Sequence, residues 1–167
     1  MRQGAIASDV LRLCYGANVM IQATVAFECP PQCGETDVRR AVVAALAHGG
    51  VSHAAVTVVF LDDADSAGVH GEFFGDESPT DVMTFPLGGC GTAADPLTGE
   101  IVVGAEHAAR VAGELGRDAG EEAILYVVHG ALHLCGMDDR EAAGRAEMRA
   151  AERAVLQSMG VEPHYFD

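Results

Sequence analysis

The chain has 167 residues, 49% of them hydrophobic, which is enough for one domain with a buried core. No run approaches the ~18 apolar residues of a membrane-spanning helix. The formal net charge is −15, and no basic cluster is larger than Arg39-Arg40, so binding to nucleic acid must come from a local patch, a metal or a partner.

The first 19 residues carry no clear pattern and read as an N-terminal extension, with Met20 as an alternative start. Arg12 interrupts the short apolar stretch from Val10 to Cys14 and no cleavage site follows, so the stretch is not a secretory signal. Ile21, Ala23, Val25 and Phe27 alternate with Gln22, Thr24 and Ala26, the pattern of a strand with one buried face. Thr36 or Asp37 can cap a helix in which Val38, Ala41, Val42, Ala45 and Leu46 fall at helical spacing. Gly49-Gly50 ends it, and the β-branched run from Ala54 to Leu61 makes a buried strand. Strand, helix, strand predicts a right-handed crossover between parallel strands.

Asp62 to Phe74 reads as a second helix. Val82 to Pro86 and Glu100 to Val103 are strands joined by a Gly-rich loop that suits a hairpin, so the sheet is mixed. From Ala105 the chain is helical, over about 105–115, 119–135 and 140–158, with Gly160 as the stop and 161–167 as a tail. The expected fold is α+β: a single domain over 20–160 with a small mixed four-stranded sheet packed against several helices. Five cysteines without a framework spacing fit a reducing cytoplasm, and Cys29 and Cys33 read as ordinary thiols.

Chemistry concentrates in HGALHLCGMDD, His129 to Asp139. Two histidines four apart project from one helix face, one turn apart, and can reach one metal ion. Gly136 permits a left-handed turn that brings Asp139 back toward them. Two nitrogens, one carboxylate oxygen and room for water are the layout of a catalytic zinc site. The apolar run Ala123 to Val128 predicts a buried helix, with Val127, Val128 and Leu132 as core. The bland alternative is a pair of core histidines bonded to backbone carbonyls. His107 reads as an exposed helix residue, and His164 lies in the tail.

Three stretches resemble the YbeY family of bacterial endoribonucleases and ribosomal-RNA maturation factors. HGALHLCGMDD is similar to the family pattern HGxLHLxGYDH. Ser78 to Pro86 is similar to PTDVLSFP, and Gly99 to Val103 to the GDIxI strand. Met148 and Glu152 fall where the family's last helix has Met and Glu, so the match runs from about 53 to 160. The resemblance implies a small α+β domain and a zinc-dependent endoribonuclease, with one Zn2+ per chain, acting in rRNA maturation, ribosome assembly or quality control. Implied partners are ribosomal RNA, the small ribosomal subunit and one of its proteins, and an assembly GTPase, in the cytoplasm and without a membrane.

The family's three zinc histidines fall on His129, His133 and Asp139, and Asp is a competent replacement. Asp138 then becomes a supporting acceptor beside the ligands or a turn residue, and Thr80 and Asp81 line the cleft. A family Arg, in a YRG segment upstream of PTDV, aligns with Phe74, which cannot hold a phosphate. His70 and Arg140 are the candidates to replace it, and they join His129, His133 and Asp139 as expected catalytic residues.

Two rivals remain. HxxxHxxGxxD has the spacing of a metalloprotease zinc helix, but the general-base Glu of such enzymes is Gly130 here. A non-catalytic, zinc-containing assembly factor fits the missing Arg and the acidic surface.

Overall fold

The elements follow from these patterns. In the computed structural model, which describes residues 12–13 and 19–162, β1 is Arg12–Leu13 and β2 is Met20–Phe27. Helix α1, Glu35–His48, leads to β3, His53–Leu61, and α2, Asp63–Phe74. A hairpin of β4, Val82–Gly88, and β5, Leu97–Gly104, precedes α3, Ala105–Leu115, α4, Ala119–Leu134, and α5, Ala142–Ser158. Apart from Arg12, Leu13 and Val19, the expected extension lies outside the described residues, as do residues 163–167 with His164. Among the described residues no helix is long and apolar enough to cross a membrane.

The sheet order is β1-β2-β3-β5-β4. β2, β3 and β5 run parallel, and β4 pairs antiparallel with β5 at the opposite edge. The expected mixed four-stranded sheet is therefore present. The two-residue β1 adds a short antiparallel edge beside β2 that no periodicity announces.

Side-chain alternation sends Ala54, Val56, Val58 and Phe60 of β3 into the larger core with residues of α1, α3, α4 and α5. Leu61, Met83 and Val102 face the other way, with Val69 of α2 against them. The buried face of β2 holds at Ile21 and Ala23 and opens toward Phe27.

One cap differs from expectation. Gly34, with no side-chain cap bond, precedes α1, and Thr36 and Asp37 lie inside its first turn. Their carboxylate and hydroxyl come too late to reach the first free N–H groups from the N-cap position. Asp62 and Asp118 do cap α2 and α4, accepting from Asp65 N and Glu121 N at 2.8 and 2.9 Å.

Helix α4 is the element the site depends on. Ala123, Ile124, Val127, Val128, Ala131 and Leu132 are buried, so it is apolar nearly all round. Gly130 lets it lie close on the sheet: a Cβ there would meet Ile101 Cγ2 at 2.7 Å and Val82 Cγ2 at 3.1 Å. This close approach brings the half-buried stripe of α4, with its two histidines, to the β4 edge.

Candidate metal centre

His129 and His133 stand one turn apart on α4, with ring centroids 4.5 Å apart and planes nearly perpendicular. Their Nε2 atoms are 2.9 Å apart. Gly136, at φ 89°, turns the chain after α4, and Gly136 N donates to His133 O at 2.9 Å. The returning segment sets Asp139 Oδ2 3.7 Å from His129 Nε2 and Asp139 Oδ1 3.6 Å from His133 Nε2. Among the described residues these three side chains form the group able to hold a metal ion.

The outer nitrogens determine what the inner ones do. His133 Nδ1 is 2.8 Å from Met137 O, an oxygen that can only accept, so Nδ1 carries the proton and donates. His129 Nδ1 is 2.6 Å from Glu152 Oε1 of α5, and donates to that carboxylate. Neutral rings in these tautomers aim two Nε2 lone pairs at each other beside an aspartate. Two lone pairs and an anion repel one another unless a cation joins them. Ligand atoms about 2.0–2.1 Å from one zinc stand about 3.3 Å apart at tetrahedral angles, and the three observed separations bracket that spacing.

Burial pushes the His129 imidazole down, but the hydrogen bond and charge of Glu152, with Asp139 and Asp81, outweigh it and raise its pKa. The field that favours a proton there also favours a metal cation.

Glu152, which the resemblance matched by position without a role, is the His129 partner that spacing arguments missed. It is buried on α5 beside Met148, Ala151, Val155 and Leu156. The available signal was a carboxylate at a core position of an otherwise apolar helix face, which demands a partner.

Asp138 does not orient the ligands through a hydrogen bond. It accepts from Arg140 Nε at 2.7 Å and from Arg140 N at 3.0 Å, and these bonds hold its carboxyl down at about 2. Met137 O takes the supporting place expected of Asp138, because the turn after Gly136 delivers a carbonyl there. Arg140 is 84% exposed, tied to Asp138, and does not line the cleft.

A cleft of about 340 Å³ joins His129 and His133 to His70, Phe74, Thr80 and Asp81. His70 Nδ1 is 2.9 Å from Ser78 O and donates to it, which leaves Nε2 as the atom for proton exchange. Asp81 Oδ1 accepts from Val82 N at 2.7 Å and from Thr80 Oγ1 at 3.0 Å, so the turn is capped as well as placed in the wall. His107 is half-buried rather than exposed; Arg110 Nη2 donates to its Nδ1 at 2.9 Å, and its ring lies beside Tyr126. A larger groove of about 440 Å³ between α1 and α5, lined by Val43, Ala47 and Val155, lies apart from the two metal histidines.

The family model described as Endoribonuclease YbeY matches residues 27–160. The chain belongs to the YbeY family. A YbeY endoribonuclease of Methylocella silvestris is 35% identical over 150 residues, covering 88% of this chain and 82% of that protein. One from Moorella thermoacetica is 37% identical over 126 residues, covering 71% and 81%. A Thermotoga maritima protein solved in solution shares the fold at a TM-score of 0.57, with 21% identity over 83% of this chain and 91% of that one. The YbeY match thus contains every residue of the metal group and the cleft.

Proposed function

We propose that this chain is a zinc-dependent endoribonuclease of ribosomal-RNA maturation. The reading extends to ribosome assembly or quality control in the cytoplasm, with the small ribosomal subunit, one of its proteins and an assembly GTPase as partners. The observation that carries the metal is the pair of Nε2 atoms at 2.9 Å with Asp139 beside them and both outer nitrogens engaged. Family membership carries the RNA.

Bound zinc would supply Lewis acidity and a water of lowered pKa. The chain's own residues do the rest. His129, His133 and Asp139 hold the ion. Glu152 and the Met137 carbonyl fix both rings in the tautomer that presents Nε2. Asp139 makes the ligand set anionic, so it favours a divalent cation over a lone proton. His70, oriented by Ser78 O, is placed to exchange a proton at Nε2 with a reacting oxygen. Thr80 and Asp81 form the polar wall of the cleft.

Metal analysis of the purified protein should find about one zinc per chain, as a single His2Asp site requires. Cleavage of an RNA oligonucleotide should vanish with a chelator and return with zinc. The double variant His129→Ala/His133→Ala should lose both metal and cleavage; retention of metal in that variant would sink the assignment.

One observation favours a second reading, a non-catalytic zinc-containing assembly factor: among the described residues no arginine lines the cleft, and Phe74 stands in it. A zinc-stripped protein that still restores ribosome assembly would select that reading. The protease reading fails on space, because Gly130 lies too close to Ile101 for any side chain to act as a base there.

A further inference from the structure

The part of the cleft that α2 supplies is aromatic. Phe74 and His70, one turn apart on α2, both line it, with ring centroids 5.5 Å apart. Phe74 is 57% exposed and its neighbour Phe73 is 61% exposed. Both rest on Phe85 of β4, at centroid distances of 6.1 and 4.9 Å, so the rings are braced from below yet open to solvent. Large exposed apolar groups in contact with one another are the informative departure from an ordinary surface. Of these rings Phe74 lines the cavity that holds His129 and His133, while Phe73 and Phe85 pack behind it.

Phosphate pairing is not what this cavity offers. Among the described residues its lining holds no arginine, and the whole chain has 10 Lys+Arg against 25 Asp+Glu. A nucleic-acid strand nevertheless has a second handle, because every base presents a π-face that stacks on an aromatic ring. Stacking requires an unpaired base and no cation.

We propose that Phe74 is a base-stacking platform that seats an unpaired nucleobase of an RNA strand beside the metal centre, with His70 at its edge and Phe85 as its brace. The inference rests on the endoribonuclease reading and adds how the strand is gripped. Binding then depends on bases rather than phosphates, tolerates sequence, and changes little with salt.

The test uses the full, zinc-loaded chain and two labelled probes, each checked to be intact after the measurement: a short 2′-O-methyl oligoadenylate, and the same backbone with abasic units. Fluorescence anisotropy gives both affinities. The parent should prefer the base-bearing probe by roughly tenfold or more, the scale of one stacked base. Phe74→Leu keeps bulk but has no flat face and should lose the preference, while Phe74→Tyr should keep it. Phe74→Arg should steepen the dependence of log K on log salt by about 0.7, one phosphate contact on a single strand. Equal affinity of the parent for both probes, or an undiminished preference in Phe74→Leu, overturns the platform. A parallel cleavage assay on unmodified RNA separates the two ideas. Cleavage without base preference removes the platform and leaves the nuclease. Base preference without cleavage in any divalent metal does the reverse; no binding of either probe removes the platform, and removes the nuclease as well only when cleavage is also absent.

Discussion

His129 Nδ1 lies 2.6 Å from Oε1 of Glu152, a carboxylate 23 residues further along the chain and buried on the face of α5 that meets α4. The contact ties the metal face of α4 to the last helix. Glu152→Ala would leave the Nδ1 proton without an acceptor and free the ring to take the other tautomer. Loss of such a partner typically weakens metal affinity by about 10- to 100-fold. Glu152→Gln keeps an acceptor oxygen and loses only the charge, so its effect should be smaller. Competition with a chromophoric chelator measures both, and zinc affinity unchanged in Glu152→Ala would rule out the orienting role.

Asp139 and Asp138 are adjacent and should behave differently. Asp139 lies within 3.7 Å of both Nε2 atoms, whereas Asp138 is engaged with Arg140. Asp139→Ala should lose zinc, Asp139→His should keep it, and Asp138→Ala should weaken it only modestly by loosening the turn that Arg140 N and Asp138 Oδ1 close. Mass spectrometry of the metal content after dialysis distinguishes the three. A stripped Asp138→Ala together with a loaded Asp139→Ala would reverse the assignment.

Much of this architecture was legible because its causes are local. The alternation at Ile21 to Phe27, the β-branched run at Ala54 to Leu61 and the HxxxH spacing before Gly136 each carry their geometry within a few residues. What was not legible depends on distant packing. The role of Glu152 needs α5 laid against α4, and the support of His133 by a carbonyl rather than by Asp138 needs the path of the turn after Gly136. The Gly34 cap and the two-residue β1 leave no periodic signal at all. Arg140 is one of the two candidates to replace the family cation, but Asp138 holds it at the surface, a pairing that depends on the path of the turn.

Two helical glycines should respond oppositely to the same substitution. Gly68 in α2 has open space where a Cβ would go, so Gly68→Ala should stabilise by about 0.5–1 kcal/mol through backbone entropy and helix propensity. At Gly144 in α5 a Cβ would stand 2.0 Å from Asp138 O and 3.7 Å from Asp139 Cα. Gly144→Ala must push away the segment that carries Asp139, at a cost of about 1–3 kcal/mol for overpacking. Urea unfolding checks the signs, and zinc affinity should fall in Gly144→Ala alone. A Gly144→Ala protein as stable and as metal-tight as the parent would show that the 138–141 segment is free to move.

Two half-buried thiols make the fold sensitive to alkali. Burial, then the charges of Asp37 and Asp118, push the Cys33 thiol from an ordinary 9.0 up to about 11. Burial does the same to Cys135, which also reaches about 11. A raised pKa in the folded state means that the folded chain keeps its proton where the unfolded chain has released it. The associated stability is therefore complete below pH 9.0 and is lost as pH rises toward about 11. Tyr126, raised from 10.0 by burial and by Glu122 and Asp81, adds to the loss only above its own ordinary value, so the interval between 9.0 and 10.0 isolates the thiols. Urea midpoints should fall across that interval in the parent, fall less in Cys33→Ser, and less again in Cys33→Ser/Cys135→Ser, where Cys29, also raised by burial and by Glu106, keeps part of the slope. Alkylation by iodoacetamide followed by peptide mass spectrometry should modify exposed Cys90 well before Cys33. A parent whose midpoint is level across the interval, with Cys33 alkylated as fast as Cys90, would show that these thiols are solvated in the folded protein.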